Sequence, residues 1–138
     1  MNKLYTKDHF WLEKIALDSP LRGAILPRLE QENLYIFGAT QYGIDALGDV
    51  VAVDVYQGNY KSMEMFGTIE SRKACVELTL AANFTVIRQN PVMNLDGAKY
   101  LQSLYNNPEQ VWIALVEIND KDFPDSCMTK DAYEAFCK

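Results

Sequence analysis

The chain has a single histidine, His9, and three cysteines, Cys75, Cys127 and Cys137. A serine or cysteine nucleophile usually needs a nearby histidine, because the imidazole takes up the proton of the attacking group. His9 follows Asp8 near the start of the chain, and no cysteine lies close to it in the sequence. The spacing therefore predicts a surface histidine and no catalytic residues.

The segment from Gly38 to Asp45 has the two-glycine spacing of a phosphate-binding loop. Such a loop needs a lysine and then a serine or threonine after Gly43, since the lysine neutralises the phosphates and the hydroxyl group binds Mg²⁺. Ile44 and Asp45 occupy those two positions instead. The segment is predicted to be a glycine-containing loop, and no cofactor is expected.

An acidic run follows the apolar segment that ends at Val116. A calcium-binding EF-hand loop would need a glycine at its sharp turn and a glutamate at its twelfth position, and the run has neither. One histidine and three scattered cysteines also give no zinc-binding pattern. The run is therefore interpreted as a solvated loop or as a patch that faces a basic partner. Its aspartates assigned to partner binding are Asp120, Asp122 and Asp125.

A second candidate surface is a cluster of aromatic and methionine side chains on a predicted hairpin. Tyrosine and methionine are enriched in the centres of protein interfaces, and methionine adapts to irregular surfaces. In a strand one of the two alternating sets must point away from the core or into a partner. The residues assigned to partner binding on this basis are Tyr56, Tyr60, Met63, Met65 and Phe66.

The charge of the chain narrows its possible partners. Nineteen acidic and thirteen basic residues give a net charge of −6, and the basic residues are scattered. Nucleic-acid binding is excluded, because it depends on clustered Lys and Arg. No apolar run reaches the roughly 20 residues that cross a bilayer, and the first residues are too polar for a signal peptide. A cytosolic protein is therefore expected, and its cysteines are expected to be reduced. A basic protein partner suits this charge.

Periodicity predicts an α+β domain spanning residues 1–138. Helices are expected over about 7–17, from Ser19-Pro20 to Leu26, and over 70–82, and strands at 34–37, 50–56 and 62–67. A strand at 84–88, a helix capped by Asn94 or Asp96, a central strand at 111–116 and a helix capped by Thr129 complete the series. The predicted architecture is a single mixed or mainly antiparallel sheet with helices packed on it, in the order α-α-β-β-β-α-β-α-β-α.

One segment resembles a known family. Phe37-Gly38, followed by Gly48-Asp49-Val50-Val51-Ala52-Val53-Asp54, is similar to the glycine-aspartate and strand element of a group of small bacterial immunity proteins. The resemblance implies a structural role for this element and a protein target for the chain.

The preferred functional hypothesis is a non-enzymatic, acidic protein-binding module. It would act as an inhibitor, an immunity protein or a phage-type antagonist, since no catalytic set is assembled in the sequence. Two alternatives stay open. One is a small hydrolase or transferase that uses the Cys75 thiol or a carboxylate such as Asp54, and the other is a structural subunit of a larger assembly.

Overall fold

Strands outnumber helices in the computed structural model, which describes residues 3–19 and 33–138. The strands of these residues are β1 (Leu4–Tyr5), β2 (Phe10–Lys14), β3 (Leu34–Ala39), β4 (Val50–Val55), β5 (Gly58–Tyr60), β6 (Gly67–Ser71), β7 (Cys75–Leu78), β8 (Phe84–Gln89) and β9 (Ala114–Glu117). The helices are α1 (Gln41–Leu47), α2 (Val92–Leu95), α3 (Gly97–Asn106), α4 (Phe123–Ser126) and α5 (Lys130–Phe136), with a 3-10 turn at Pro108–Gln110.

Six strands form an antiparallel sheet in the order β1-β2-β3-β9-β8-β5. The central strand β9 lies between β3 and β8, as its unbroken apolar sequence predicted. Ala114 and Val116 belong to one apolar cluster and Leu115 to another, so both faces of the strand are covered. A strand buried on both faces has no polar positions to alternate with apolar ones.

The remaining strands form a second sheet in the order β4-β6-β7. The predicted single sheet and its helix-first order are therefore wrong. The chain leaves the first sheet after β3, builds β4, returns for β5, and builds β6 and β7 before it re-enters the first sheet as β8. Sequence periodicity locates strands, but it does not say which strands pair.

Two predicted helices are strands. Residues 70–82 form the end of β6 and then β7, because Ile69, Val76 and Leu78 all turn towards the core in strand alternation. Residues 7–17 contain β2, in which Trp11 faces one apolar cluster while Phe10 and Leu12 face the other. Burial on both faces produced an apolar run that also fits helical spacing. The helix predicted from Ser19-Pro20 to Leu26 lies, beyond Ser19, outside the described residues.

Several predicted elements are present. The strands at 34–37, 50–56 and 84–88 correspond to β3, β4 and β8, and the helix capped by Asp96 is α3. The Asp96 carboxylate accepts the Lys99 N–H at 3.2 Å, and the Thr129 hydroxyl accepts the Ala132 N–H at 3.3 Å at the start of α5. Side chains that cap helices are local signals, which sequence reasoning can find.

A close approach of two strands requires glycine at position 38. A Cβ atom there would overlap the indole of Trp11, whose Nε1–H donates to the Pro108 carbonyl at 3.1 Å. We expect Gly38→Ala to lower the free energy of unfolding by about 1–3 kcal/mol, because a filled core has no room for the methyl group. Gly97→Ala is the control, since no atom lies within 4 Å of its added Cβ. Urea unfolding measures both, and equal midpoints for the two variants would contradict this packing.

Candidate functional site: a hairpin lysine beside an apolar cleft

Lys73 lies in the turn that joins β6 to β7, and its side chain is exposed. The hydroxyl oxygen of Ser71 accepts the N–H groups of Lys73 at 3.3 Å and Ala74 at 3.1 Å. The Ser71 N–H donates to the Ala74 carbonyl at 2.8 Å. Serine side chains that bond to the backbone in this way stabilise tight turns. The lysine is therefore displayed by a turn whose backbone is held in place.

The Lys73 side chain lies next to the C-terminal end of α1. A Cβ atom built on Gly48 would be 3.5 Å from the Lys73 Cε and 4.0 Å from its Nζ. Gly48 has a φ of +94°, and its N–H donates to the Ile44 carbonyl at 2.9 Å, which ends the helix. This conformation suits glycine, so the same residue ends α1 and leaves space for the lysine.

An apolar cleft of about 200 Å³ lies between the hairpin and α1. Asp8 and His9 are its only ionisable residues among the described ones. The other lining residues are Phe10, Ala39, Gly43, Ile44, Ala46, Leu47, Ile69, Ala74 and Val76. Two of these lining residues are sequence neighbours of the lysine and of the glycine beside it: Ala74 follows Lys73, and Leu47 precedes Gly48. The cleft therefore begins where the lysine side chain lies.

A hydrogen-bonded group of side chains connects the cleft to the C-terminal helix. The His9 Nδ1 is 2.6 Å from the Tyr133 hydroxyl oxygen, which is 2.7 Å from the Thr40 hydroxyl oxygen. Thr40 accepts the Gly43 N–H at 3.1 Å and so caps α1. Burial lowers the pKa of His9, and the nearby Asp8 carboxylate opposes that shift. The imidazole is therefore held mainly neutral at pH 7.

Tyr133 also packs against the first strand. Its ring stacks on Tyr5 with 4.8 Å between centroids, and the Tyr5 hydroxyl donates to the Glu109 carboxylate at 3.0 Å. The other oxygen of Glu109 accepts the Gln41 N–H at 3.0 Å at the start of α1. Burial raises the pKa of both tyrosines, so they stay protonated. These contacts tie both ends of the described chain to α1, which forms one wall of the cleft.

The structure separates the aromatic residues predicted to bind a partner. Tyr56 is 52% exposed, Met63 53% and Met65 41%, whereas Phe66 is fully buried between the sheets. Phe66 is therefore unavailable to a partner, because its ring packs on Phe37 and Phe84 with centroids 5.1 Å away. The predicted second arm at 62–67 does not form, because only Gly67 of these residues belongs to a strand. That strand, β6, pairs with β4 and β7, whereas β5 pairs with β8.

The aspartates assigned to partner binding, Asp120, Asp122 and Asp125, are exposed around the start of α4. Asp120 accepts the Asp122 N–H at 2.9 Å, so part of its charge stabilises the turn before the helix. No group of His, Cys, Asp and Glu within residues 3–19 and 33–138 could hold a metal ion.

The residues weighed for enzymatic chemistry are not brought together at the cleft. Cys75 and Asp54 are exposed on strands β7 and β4, and neither lines the cleft that contains His9. All three cysteines are free.

Sequence reasoning missed Lys73, although Arg72-Lys73 is the only adjacent pair of basic residues in the sequence. A signal was available, because Ile69, Val76 and Leu78 alternate with polar neighbours on either side of a serine-containing turn. Reading this segment as two strands would have placed the lysine at the tip of a hairpin.

Comparison with solved structures defines the class of fold. A crystal structure of a glycine cleavage system H protein from Mycobacterium marinum matches this chain with a TM-score of 0.70 and 23% identity. The match covers 97% of this chain and 94% of that one. The two share their architecture of strands almost from end to end.

Sequence comparison gives the family. The family model for the glycine cleavage H-protein matches residues 27–138. A glycine cleavage system H protein from Geobacillus kaustophilus (strain HTA426) is 32% identical over 134 residues, which are 95% of this chain and 90% of the relative. Another, from Thermoanaerobacter sp. (strain X514), is 29% identical over 135 residues, 96% of this chain and 90% of the relative. The chain belongs to the glycine cleavage H-protein family.

This family membership overturns the functional hypothesis drawn from the sequence. The hypothesis of an inhibitor, an immunity protein or a phage-type antagonist is wrong. Its resemblance rested on two short segments. Phe37-Gly38 lies in strand β3, and Gly48 to Asp54 form the end of α1 and most of strand β4. A glycine before an apolar strand is common to many folds, so a segment this short does not identify one. No helix among the described residues is long and apolar enough to span a membrane.

We expect Tyr133→Phe to destabilise the protein by about 1–3 kcal/mol, because it leaves the buried Thr40 hydroxyl and the His9 Nδ1 without their shared partner. Tyr105→Phe is the matched control, since that side chain is 39% exposed, and we expect a change within about 0.5 kcal/mol. Chemical denaturation measures both variants. Equal stability of the two would show that the Tyr133 hydroxyl holds nothing in place.

His9 should titrate below the ordinary histidine pKa of about 6.5. The unfolded chain then binds more protons than the folded one, so stability is complete above pH 6.5 and is lost as the pH falls through the folded pKa. Because His9 is the only histidine, its imidazole signal in an NMR titration needs no assignment. A pKa above 6.5 would contradict the desolvation of the half-buried His9 ring.

Proposed function

We propose that this chain carries a lipoyl group on Lys73 and acts as the H protein of a glycine cleavage system. Family membership supports the system, and H proteins are its lipoyl-carrying subunits. The single observation that supports the residue is the exposed amine of Lys73 at the tip of a fixed hairpin, next to an apolar cleft.

The surroundings of Lys73 fit an attached lipoyl group. Acylation needs a primary amine that a modifying enzyme can reach, and the turn exposes Lys73 for this purpose. When bound through an amide, a lipoyl group supplies a ring disulfide on a flexible chain, which can take up a reacting group and pass it on. Ala74, Val76 and Leu47 give the neighbouring cleft an apolar wall, which favours an uncharged ring over water.

The hairpin has its own part in this function. Ser71 holds the backbone of the turn through the Lys73 and Ala74 N–H groups, so the point of attachment is fixed while the lysine side chain stays free. A fixed anchor with a flexible arm limits the volume that the end of the arm explores and raises its effective concentration at the cleft. The chain's residues thus position the carried group without making or breaking its bonds.

The proposed partners are the other glycine cleavage proteins, known as the P, T and L proteins. A carrier meets each of them in turn, so its contacts must be transient. The net charge of −6 suits this requirement, because electrostatic attraction speeds encounter more than it slows release. The sequence predicted a protein partner, and the glycine cleavage proteins are protein partners. The sequence analysis was wrong about the kind of partner, because it predicted a target to be inhibited.

We further propose that the chain is a single domain that works in the cytosol. Phe37 of the first sheet and Ile69 and Leu78 of the second belong to one apolar cluster, which supports a single folding unit. The three free cysteines agree with a reducing compartment.

Lys73→Arg should abolish lipoylation, because a guanidinium group stays protonated and is a poor nucleophile. The test incubates the purified full chain with a lipoate–protein ligase, lipoic acid and ATP, and follows its intact mass. Lys61→Arg is the control, since Lys61 is another exposed lysine in a turn. We expect the wild type and Lys61→Arg to gain one lipoyl group and Lys73→Arg to gain none. Modification of Lys73→Arg would assign the carrier site to a different lysine.

A further inference from the structure

A second concave surface lies away from Lys73, along the edge of the first sheet. It is a groove of about 830 Å³, and we call it the β8 groove. Its described lining residues are Val55, Tyr56, Gln57, Ile87, Arg88, Gln89, Pro91, Asn94 and Leu95. None of them lines the cleft beside Lys73, so the proposed lipoyl function leaves this groove without a role.

The groove follows a strand edge. Strand β5 is short and pairs only with Phe84–Val86 of β8, so residues 87–89 continue past its end. The register between β8 and β9 shifts between Val86 and Arg88, so Ile87 lies at a β-bulge, where the alternation of faces is broken. Because the pairing of β5 with β8 ends at Val86, residues 87–89 form an edge of the described six-stranded sheet, and the groove that they line runs along this edge.

One backbone carbonyl on this edge already accepts a hydrogen bond from a side chain. The Gln57 Nε2–H donates to the Ile87 carbonyl at 2.8 Å. The Ile87 carbonyl thus accepts a side-chain N–H in the place where it would accept the backbone N–H of a neighbouring strand. Gln57 is exposed, so an incoming backbone could displace its amide at low cost, since the freed amide can bond to water.

The walls of the groove carry exposed apolar side chains. Leu95 of α2 is 82% exposed and Tyr56 is 52% exposed. Both belong to the groove lining, on the chain segments that flank the end of β8. Large apolar groups that share one groove with a strand edge are typical of peptide-binding surfaces.

The charge of the groove indicates its occupant. Arg88 is the only charged residue among its described lining residues, although the chain as a whole carries −6. A carboxylate opposite the guanidinium would form a charge-assisted hydrogen bond in a half-buried position. A second copy of this chain is the poorer occupant, because a twofold pairing of two β8 edges would bring the two Arg88 side chains together.

We infer that the β8 groove binds an extended segment of a partner protein, in which an acidic residue is flanked by apolar ones. The segment adds to the edge of β8 beyond β5, its carboxylate meets Arg88, and its apolar side chains pack on Tyr56 and Leu95. This mode of binding is β-strand addition, in which backbone hydrogen bonds give affinity and the side-chain contacts give specificity. The inference does not depend on Lys73, and it gives Tyr56 a role in partner binding through a different surface from the predicted hairpin.

The test selects peptides from a phage-displayed library of random twelve-residue sequences on the immobilised full chain. We expect enrichment of peptides with an acidic residue between alternating apolar residues. Leu95→Asp should weaken their binding about tenfold or more, and Arg88→Glu should shift selection towards basic peptides. Leu17→Asp is the matched control, because Leu17 is an exposed leucine (58%) outside the groove, and its binding should equal that of the wild type.

Two further measurements distinguish strand addition from binding through side chains alone. Methylating the backbone nitrogens of the best peptide should abolish binding, since strand addition needs N–H donors, and the unmodified peptide should shift the NMR amide signals of residues 87–89. The inference is overturned if no peptide is enriched, or if Leu95→Asp and Leu17→Asp bind the selected peptides equally. It is also overturned if Leu95→Asp converts a dimer of the wild-type chain to a monomer in sedimentation, because a second copy would then be the occupant.

Discussion

The burial of Phe66 between Phe37 and Phe84 is the contact on which the rest of the structure depends. Its ring lies 5.1 Å from each of the other two, and Phe37 and Phe84 belong to the six-stranded sheet. Phe66 precedes β6, so its burial fixes the second sheet against the first and sets where the β6–β7 hairpin projects. The position of Lys73 over the end of α1 follows from this packing, because the hairpin that carries it cannot rotate without exposing Phe66.

The proposed carrier function separates rigid from mobile parts of the molecule. Thr40, Tyr133 and His9 fix α1 and one side of the cleft, and Ser71 fixes the turn. The exposed lysine side chain lies outside these restraints. A carrier needs this arrangement, because its partners must find the attachment point in one place while the carried group reaches different active sites.

Local signals in the sequence were sufficient for some elements. The cap at Asp96, the cap at Thr129 and the apolar run of β9 report on a few neighbouring residues, and the structure contains all three features. Predictions failed where the structure depends on contacts between residues that are distant in the sequence. The segment around Trp11 suggested a helix because both of its faces are buried, and Phe66 suggested an interface because no local pattern shows that two sheets close over it. The candidate site was the hardest to predict, since a lysine in a turn gains meaning only from the cleft that the fold builds beside it.

The central claim is that Lys73 is the residue that carries the transferred group. Peptide mapping by mass spectrometry of the chain purified from the cells that make it tests this claim directly. We predict a lipoyl group on the peptide that contains Lys73 and unmodified lysines elsewhere. A Lys73 peptide that is unmodified throughout, or a lipoyl group on another lysine, would contradict it.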